Sequence, residues 1–137
     1  MKTLFFSVFF VFTFIFCYWW FLSMPNVFYS ERDFFKYNFL TYNEIINSPR
    51  VSGDYIFEYA PNDETSPQSS LVYYCDIKEK QHAYSELIDY INKKGFLINK
   101  DDIWYKNSEN DIELFYLRET TFRGKKCLAL IFSKEIK

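Results

Sequence analysis

The chain has 137 residues and carries 16 Lys and Arg against 18 Asp and Glu, a formal net charge of −2. No basic cluster stands out along it, so nucleic acid is not an expected partner. Half of the chain is hydrophobic (49%), and the length suffices for one packed domain and not two.

The apolar residues are unevenly spread. Leu4 to Leu22 reads LFFSVFFVFTFIFCYWWFL, without a charge and with only Ser7 and Thr13 as hydroxylated interruptions. About 19 residues rising 1.5 Å each give a helix of roughly 28 Å, close to the hydrocarbon thickness of a bilayer. Tyr18, Trp19 and Trp20 gather at its C-terminal end, where amphipathic rings suit the headgroup interface. Lys2 on the other side places the N-terminus in the cytoplasm by the positive-inside tendency, and the rest outside it. The rival is a secretory signal that is cut, releasing a secreted protein. Such a signal has a shorter apolar core and small residues before the cut, whereas a cut after Ser23 meets Phe21. A lipidated Cys17 would follow the bulky Phe16, again a poor fit. An uncleaved signal-anchor over residues 1–24, in contact with the lipid bilayer through residues 4–22, is the expectation.

Residues 25–50 are expected to be a juxtamembrane linker with short helices. Ser30 and Asp33 suggest a cap for a helix over Glu31 to Phe39 near the bilayer surface, and Thr41-Tyr42-Asn43-Glu44 reads as a capping box that Ser48-Pro49 ends. An extracytoplasmic domain is expected over 51–137. Tyr55, Phe57 and Tyr59 alternate as a strand, the polar run Pro61 to Ser70 makes a loop, and Leu71, Tyr73, Cys75 and Ile77 share a face of a second strand. Tyr84, Leu87, Ile88 and Ile91 fall at helical spacing, with Lys93 and Lys94 in the last turn and Gly95 as the left-handed stop. Three further strands are expected: Ile103 to Lys106, Ile112 to Glu119, and Cys127 to Ser133. The last two are apolar on both faces, as central strands are. The predicted architecture is α+β: an N-terminal transmembrane helix, then an antiparallel sheet with one packed helix in the order β-β-α-β-β-β.

In an exported domain Cys75 and Cys127 can form one bridge, which stabilises a small domain by about 2–5 kcal/mol. No C-x-x-C occurs, so the pattern of zinc or thioredoxin-like chemistry is missing. His82, the one histidine, opens the amphipathic helix on its polar side, with Glu79 and Glu86 in helical reach. That is an exposed polar residue more readily than a general base. Asn62-Asp63-Glu64, Asp101-Asp102 and Glu109-Asn110-Asp111 lack the spacing of an EF-hand loop and read as turns. Neither a cofactor nor a metal is expected.

The remaining signal is aromatic. Tyr55, Tyr59, Tyr73, Tyr74, Trp104, Tyr105 and Tyr116 lie on predicted strands, and each buried hydroxyl or indole would need a partner. Some of them should therefore line a surface; Tyr55, Tyr59, Tyr74, Trp104 and Tyr105 are the expected partner surface. The expected function is non-enzymatic binding of another envelope protein, as an accessory subunit or an inhibitor or immunity protein. The alternative is a ligand-sensing domain for a small molecule or lipid, with a pocket lined by Tyr84 and Leu87.

Overall fold

The computed structural model describes residues 2–22, 26–63, 66–99 and 101–137; within the first helix, side chains are described from Phe9 to Trp20. Helix α1 covers Lys2–Leu22. Among the described residues no helix is long and apolar enough to cross a membrane. The sequence-predicted exit from the bilayer at Ser23 to Pro25 and Glu64 of the acidic loop lie outside the described residues.

After α1 come strand β1 (Val27–Tyr29), helix α2 (Phe34–Leu40), helix α3 (Asn43–Ile46), strands β2 (Asp54–Ala60) and β3 (Ser69–Cys75), and helix α4 (Lys80–Lys93). Strands β4 (Leu97–Ile98), β5 (Trp104–Asn107), β6 (Asp111–Phe122) and β7 (Lys125–Ile136) complete the chain. Among the described residues the seven strands form one antiparallel sheet in the order β1-β2-β3-β7-β6-β5-β4. The class is α+β, as expected, but two strands had not been foreseen. Both β1 and β4 are too short for alternation to be visible, and they are strands only because a neighbour offers an edge.

The segment expected as a linker contributes to the fold. Val27 to Tyr29 pair with Tyr59 to Phe57, and Tyr29, Leu40 and Ile45 are buried in the main core. Asp33 caps α2, accepting from the Lys36 amide. The expected capping box is not made: Tyr42 occupies the N-cap of α3 without a side-chain cap. Thr41 instead shares a buried 2.8 Å hydrogen bond with the Tyr29 hydroxyl. Arg50 closes the region. Its guanidinium donates to the carbonyls of Ile46 at 3.1 Å and Ser48 at 2.6 Å and to the Tyr37 hydroxyl at 3.0 Å, and it pairs with Glu31 at 2.9 Å. It thereby satisfies carbonyls that a four-residue helix leaves without partners.

The first hairpin forms as expected, with Phe57 opposite Val72. Helix α4 buries Ala83, Leu87 and Ile91; Gly95 (φ 82°) provides the left-handed stop, and Phe96 folds in behind it. The β6–β7 hairpin turns at Arg123 and Gly124, both at positive φ (50° and 79°). That is the conformation a two-residue turn needs to match the strand twist. Strand β7, apolar on both faces, is the middle strand of the seven, where such a pattern belongs.

Candidate interaction surface

The pairing register sorts the sheet residues into two faces. On one, Tyr59, Ser70, Phe132, Phe115 and Trp104 form a row across β2, β3, β7, β6 and β5. Phe57, Val72, Leu130 and Leu117 form the next row. This face packs with Leu40, Ile45, Leu87 and Ile91 of the helices into the main core. The other face carries Ile56, Tyr73, Ala129 and Arg118 in one row and Glu58, Leu71, Ile131 and Tyr116 in another. Its small cluster of Leu71, Ala129 and Ile131, flanked by Ala60, Tyr73 and Tyr116, contains no helix residue among the described residues.

The disulfide lies on this open face. Cys75 and Cys127 are bonded directly across β3 and β7, with Cα atoms 4.2 Å apart. In the register Phe122 lies far from Tyr73, beyond β7 and four residues past Arg118. Yet the two rings stack at 4.6 Å, and Phe28 sits 5.2 Å from Phe122. The end of the long β6–β7 hairpin therefore bends across the face, as a strongly twisted two-stranded ribbon does. Lys125 in the same hairpin holds Asp54 at 2.7 Å and Asp76 at 2.8 Å. The result is a partly exposed aromatic cluster of Phe28, Tyr73 and Phe122. Phe28 is 40% exposed.

Glu58 is buried among these rings. One carboxylate oxygen accepts from the Tyr73 hydroxyl at 2.5 Å and the other from the Asn26 side-chain amide at 2.7 Å. Both partners are neutral donors, and the Arg118 charge also acts on the Tyr73 phenol. Burial and then the Glu58 carboxylate hold the Tyr73 phenol well above its ordinary range.

Tyrosine hydroxyls elsewhere are also tied down. Tyr74 donates to the Pro49 carbonyl at 2.9 Å, and Tyr90 donates to the Glu44 carbonyl at 2.7 Å. Burial, then the Glu44 charge, pushes the Tyr90 phenol up to about 12; burial raises Tyr29, Tyr42, Tyr59 and Tyr74 as well. A group whose folded pKa exceeds its unfolded value, here 10.0, binds its proton more tightly when folded. Its contribution is complete below pH 10 and is lost as pH rises through the folded value. Stability is thus expected to hold up to about pH 10 and to fall steadily towards pH 12, with tyrosinate absorbance appearing as the fold is lost. Urea unfolding at successive pH values checks this; a stability unchanged between pH 10 and about pH 12 would contradict it.

The expected partner residues divide. Tyr59, Tyr74 and Trp104 are buried in the main core, so they present no surface. Tyr55 is half-buried on the helix-covered face, edge-on to Phe57, with its hydroxyl donating to Glu31. Tyr105 is half-buried opposite Leu114, on the open face. Of the aromatic residues on the open face Tyr105 was in that set, while Phe28, Tyr73, Tyr116 and Phe122 were not. Cys75 was the available signal: in a strand, residues two apart share a face, so a bridge at Cys75 and Cys127 places Tyr73 and Ala129 beside it. Of the interface aromatics, Tyr18, Trp19 and Trp20 are all exposed on α1.

Three clefts of about 410 to 500 Å³ lie at the periphery, lined respectively by residues around Tyr42 and Lys134, around Arg50 and His82, and around Lys80 and Cys127. None of the three includes Tyr84 or Leu87, and Leu87 is fully buried. His82 is exposed, 4.0 Å from Glu86. Among the described residues no group of three or more His, Cys, Asp or Glu is placed to hold a metal. Comparison with family models, with curated proteins and with solved structures returns no match to the chain.

Proposed function

We propose that the chain is a single-span membrane protein whose domain, on the extracytoplasmic side, binds a second envelope protein through the open face of its sheet. The observation that carries this reading is the asymmetry of the sheet. One face is buried under helices, and the other leaves Phe28, Tyr73, Tyr116 and Phe122 partly exposed around an apolar centre. Aromatic side chains supply large contact area with little rotamer entropy to lose, and they dominate the centres of protein interfaces. The Cys75–Cys127 disulfide supports an oxidising compartment. The uncharged run from Leu4 to Leu22, with Lys2 before it, supports an anchor with a cytoplasmic N-terminus. Binding as an accessory subunit or an inhibitor, without catalysis, is the role this surface suits.

The test is site-specific photo-crosslinking in cells, with benzoylphenylalanine in place of Tyr116 or Phe28 on the open face and of Glu86 on the exposed side of α4. The expected result is one discrete adduct with an envelope protein from the two open-face positions and none from position 86. An adduct pattern that ignores the face, or no adduct at all, would rule the reading out.

A further inference from the structure

Outside α1, the most exposed large aromatic residues are on α2: Phe34 is 67%, Phe35 72% and Phe39 77% exposed. They are contiguous. Phe34 meets Phe35 edge-on at 5.8 Å, and Phe35 stacks on Phe39 at 6.5 Å. The opposite side of α2 is committed to the fold, through buried Leu40 and through Tyr37, whose ring lies 5.1 Å from Phe57. Three phenyl rings are thus turned outward by a helix whose inward side is already occupied.

Their position relative to α1 is set by the chain. α1 ends at Leu22 and β1 begins at Val27, and four intervening residues reach at most about 18 Å even when extended. After β1 a turn closed by the Asp33 amide on the Ser30 carbonyl reverses the backbone. α2 then runs back beside β1. Tyr37 meets Phe57, the register partner of Tyr29, and Tyr42 meets Phe132 on the row of Tyr59, the partner of Val27. The C-terminal end of α2, with Phe39, is therefore brought to the level of the Val27 end of β1 as the chain crosses from β2 towards β7. Arg32 flanks the rings, as does Lys36, which pairs with Asp33 at 3.0 Å, and a cationic side chain beside an apolar helix face suits anionic headgroups.

We propose that Phe34, Phe35 and Phe39 insert into the headgroup–acyl boundary of the bilayer that α1 spans, so that α2 is a second membrane contact. This rests on the reading of α1 as an anchor. It brings the β1 side of the sheet nearest the lipid, with exposed Leu97 at the opposite edge of the sheet. The open face then stands upright beside the membrane, accessible to a partner from the side.

The test uses the full chain in vesicles of phosphatidylethanolamine and phosphatidylglycerol. In a Cys17→Ser background, with Cys75 and Cys127 left bridged, single nitroxide labels are placed by Phe12→Cys, Phe35→Cys, Phe39→Cys and Leu97→Cys. Collisional access to dissolved oxygen and to a water-soluble nickel chelate is then measured. Labels at 35 and 39 are expected to show severalfold lower nickel access than the label at 97, with oxygen access raised. Nickel access at 35 and 39 equal to that at 97, while position 12 is lipid-buried, would overturn this inference and leave the anchor standing. Exclusion of both probes at 35 and 39 would mean that protein, such as a second copy, covers the patch, and would equally overturn it. Nickel access at position 12 would overturn the anchor reading and this inference together.

Discussion

Loss of the Cys75–Cys127 bridge is expected to lower the stability of the domain by about 4 kcal/mol. The two cysteines are 52 residues apart, and the loop they close contains α4, β4, β5 and β6 and reaches into β7. In the unfolded chain the bridge removes the conformations in which those ends are separated, and the entropy lost grows with the logarithm of loop length. In the folded chain it ties positions that the sheet already holds opposite each other, Cys75 and Cys127 being register partners. The effect is measured by urea unfolding of the detergent-solubilised chain with and without reductant, and of the Cys75→Ala/Cys127→Ala variant. The double variant and the reduced protein should lose the same amount. Midpoints that coincide with the oxidised protein would show that the bridge contributes nothing. A domain stability of the usual 5–15 kcal/mol makes a loss of this size a large fraction of the whole.

Phe115→Ala is expected to cost about 3–5 kcal/mol, while Tyr116→Ala, its neighbour in sequence, should cost about 1 kcal/mol or less. Phe115 is fully buried, with Phe96 at 4.8 Å, Phe132 at 5.0 Å and Tyr90 at 6.4 Å. Those rings come from the segment after α4, from β7 and from α4 itself, so truncation opens a cavity where three elements meet. Tyr116 points to the open face beside Ile131, where water can fill the space left by its ring. The milder Phe115→Leu retains a folded protein for comparison if the alanine variant is too unstable to purify. Equal losses at positions 115 and 116 would mean that the second face of the sheet is covered as tightly as the first, and the proposed interaction surface would be lost with it. A Tyr116→Ala protein that is stable but fails to crosslink to its partner from position 28 would give the opposite answer.

Much of this fold was legible because its periodicities are local. The α4 pattern of Leu87 and Ile91, the stop at Gly95 and the alternation in β2 each need only a window of several residues. The core aromatic residues were harder to place. Tyr59, Tyr74 and Trp104 were expected at a surface because a hydroxyl or indole needs a partner. Tyr74 finds one at the Pro49 carbonyl, 25 residues away in the chain, and no local window contains that contact. The capping box at Thr41 failed for a similar reason, since the hydroxyl is engaged by Tyr29 from the sheet. Strand β1 is three residues long, and its identity depends on the edge that Phe57 to Tyr59 present to it.

By itself the sequence determined the α+β class, the central position of β7, the one available bridge between Cys75 and Cys127, and the segregation of an uncharged apolar run at the N-terminus. Each of these follows from the order or spacing of side chains. Only the tertiary structure decided that residues 26–50 belong to the domain, which aromatic residues face outward, and that α2 holds three phenyl rings away from the core. Those outcomes depend on which face of each strand the helices cover, and on where a partner for a buried hydroxyl is found. The physical reason is register. Neighbouring side chains in a strand point to opposite faces, so the same tyrosine pair, Tyr73 and Tyr74, is divided between a surface and a core by a pairing set by β2 and β7.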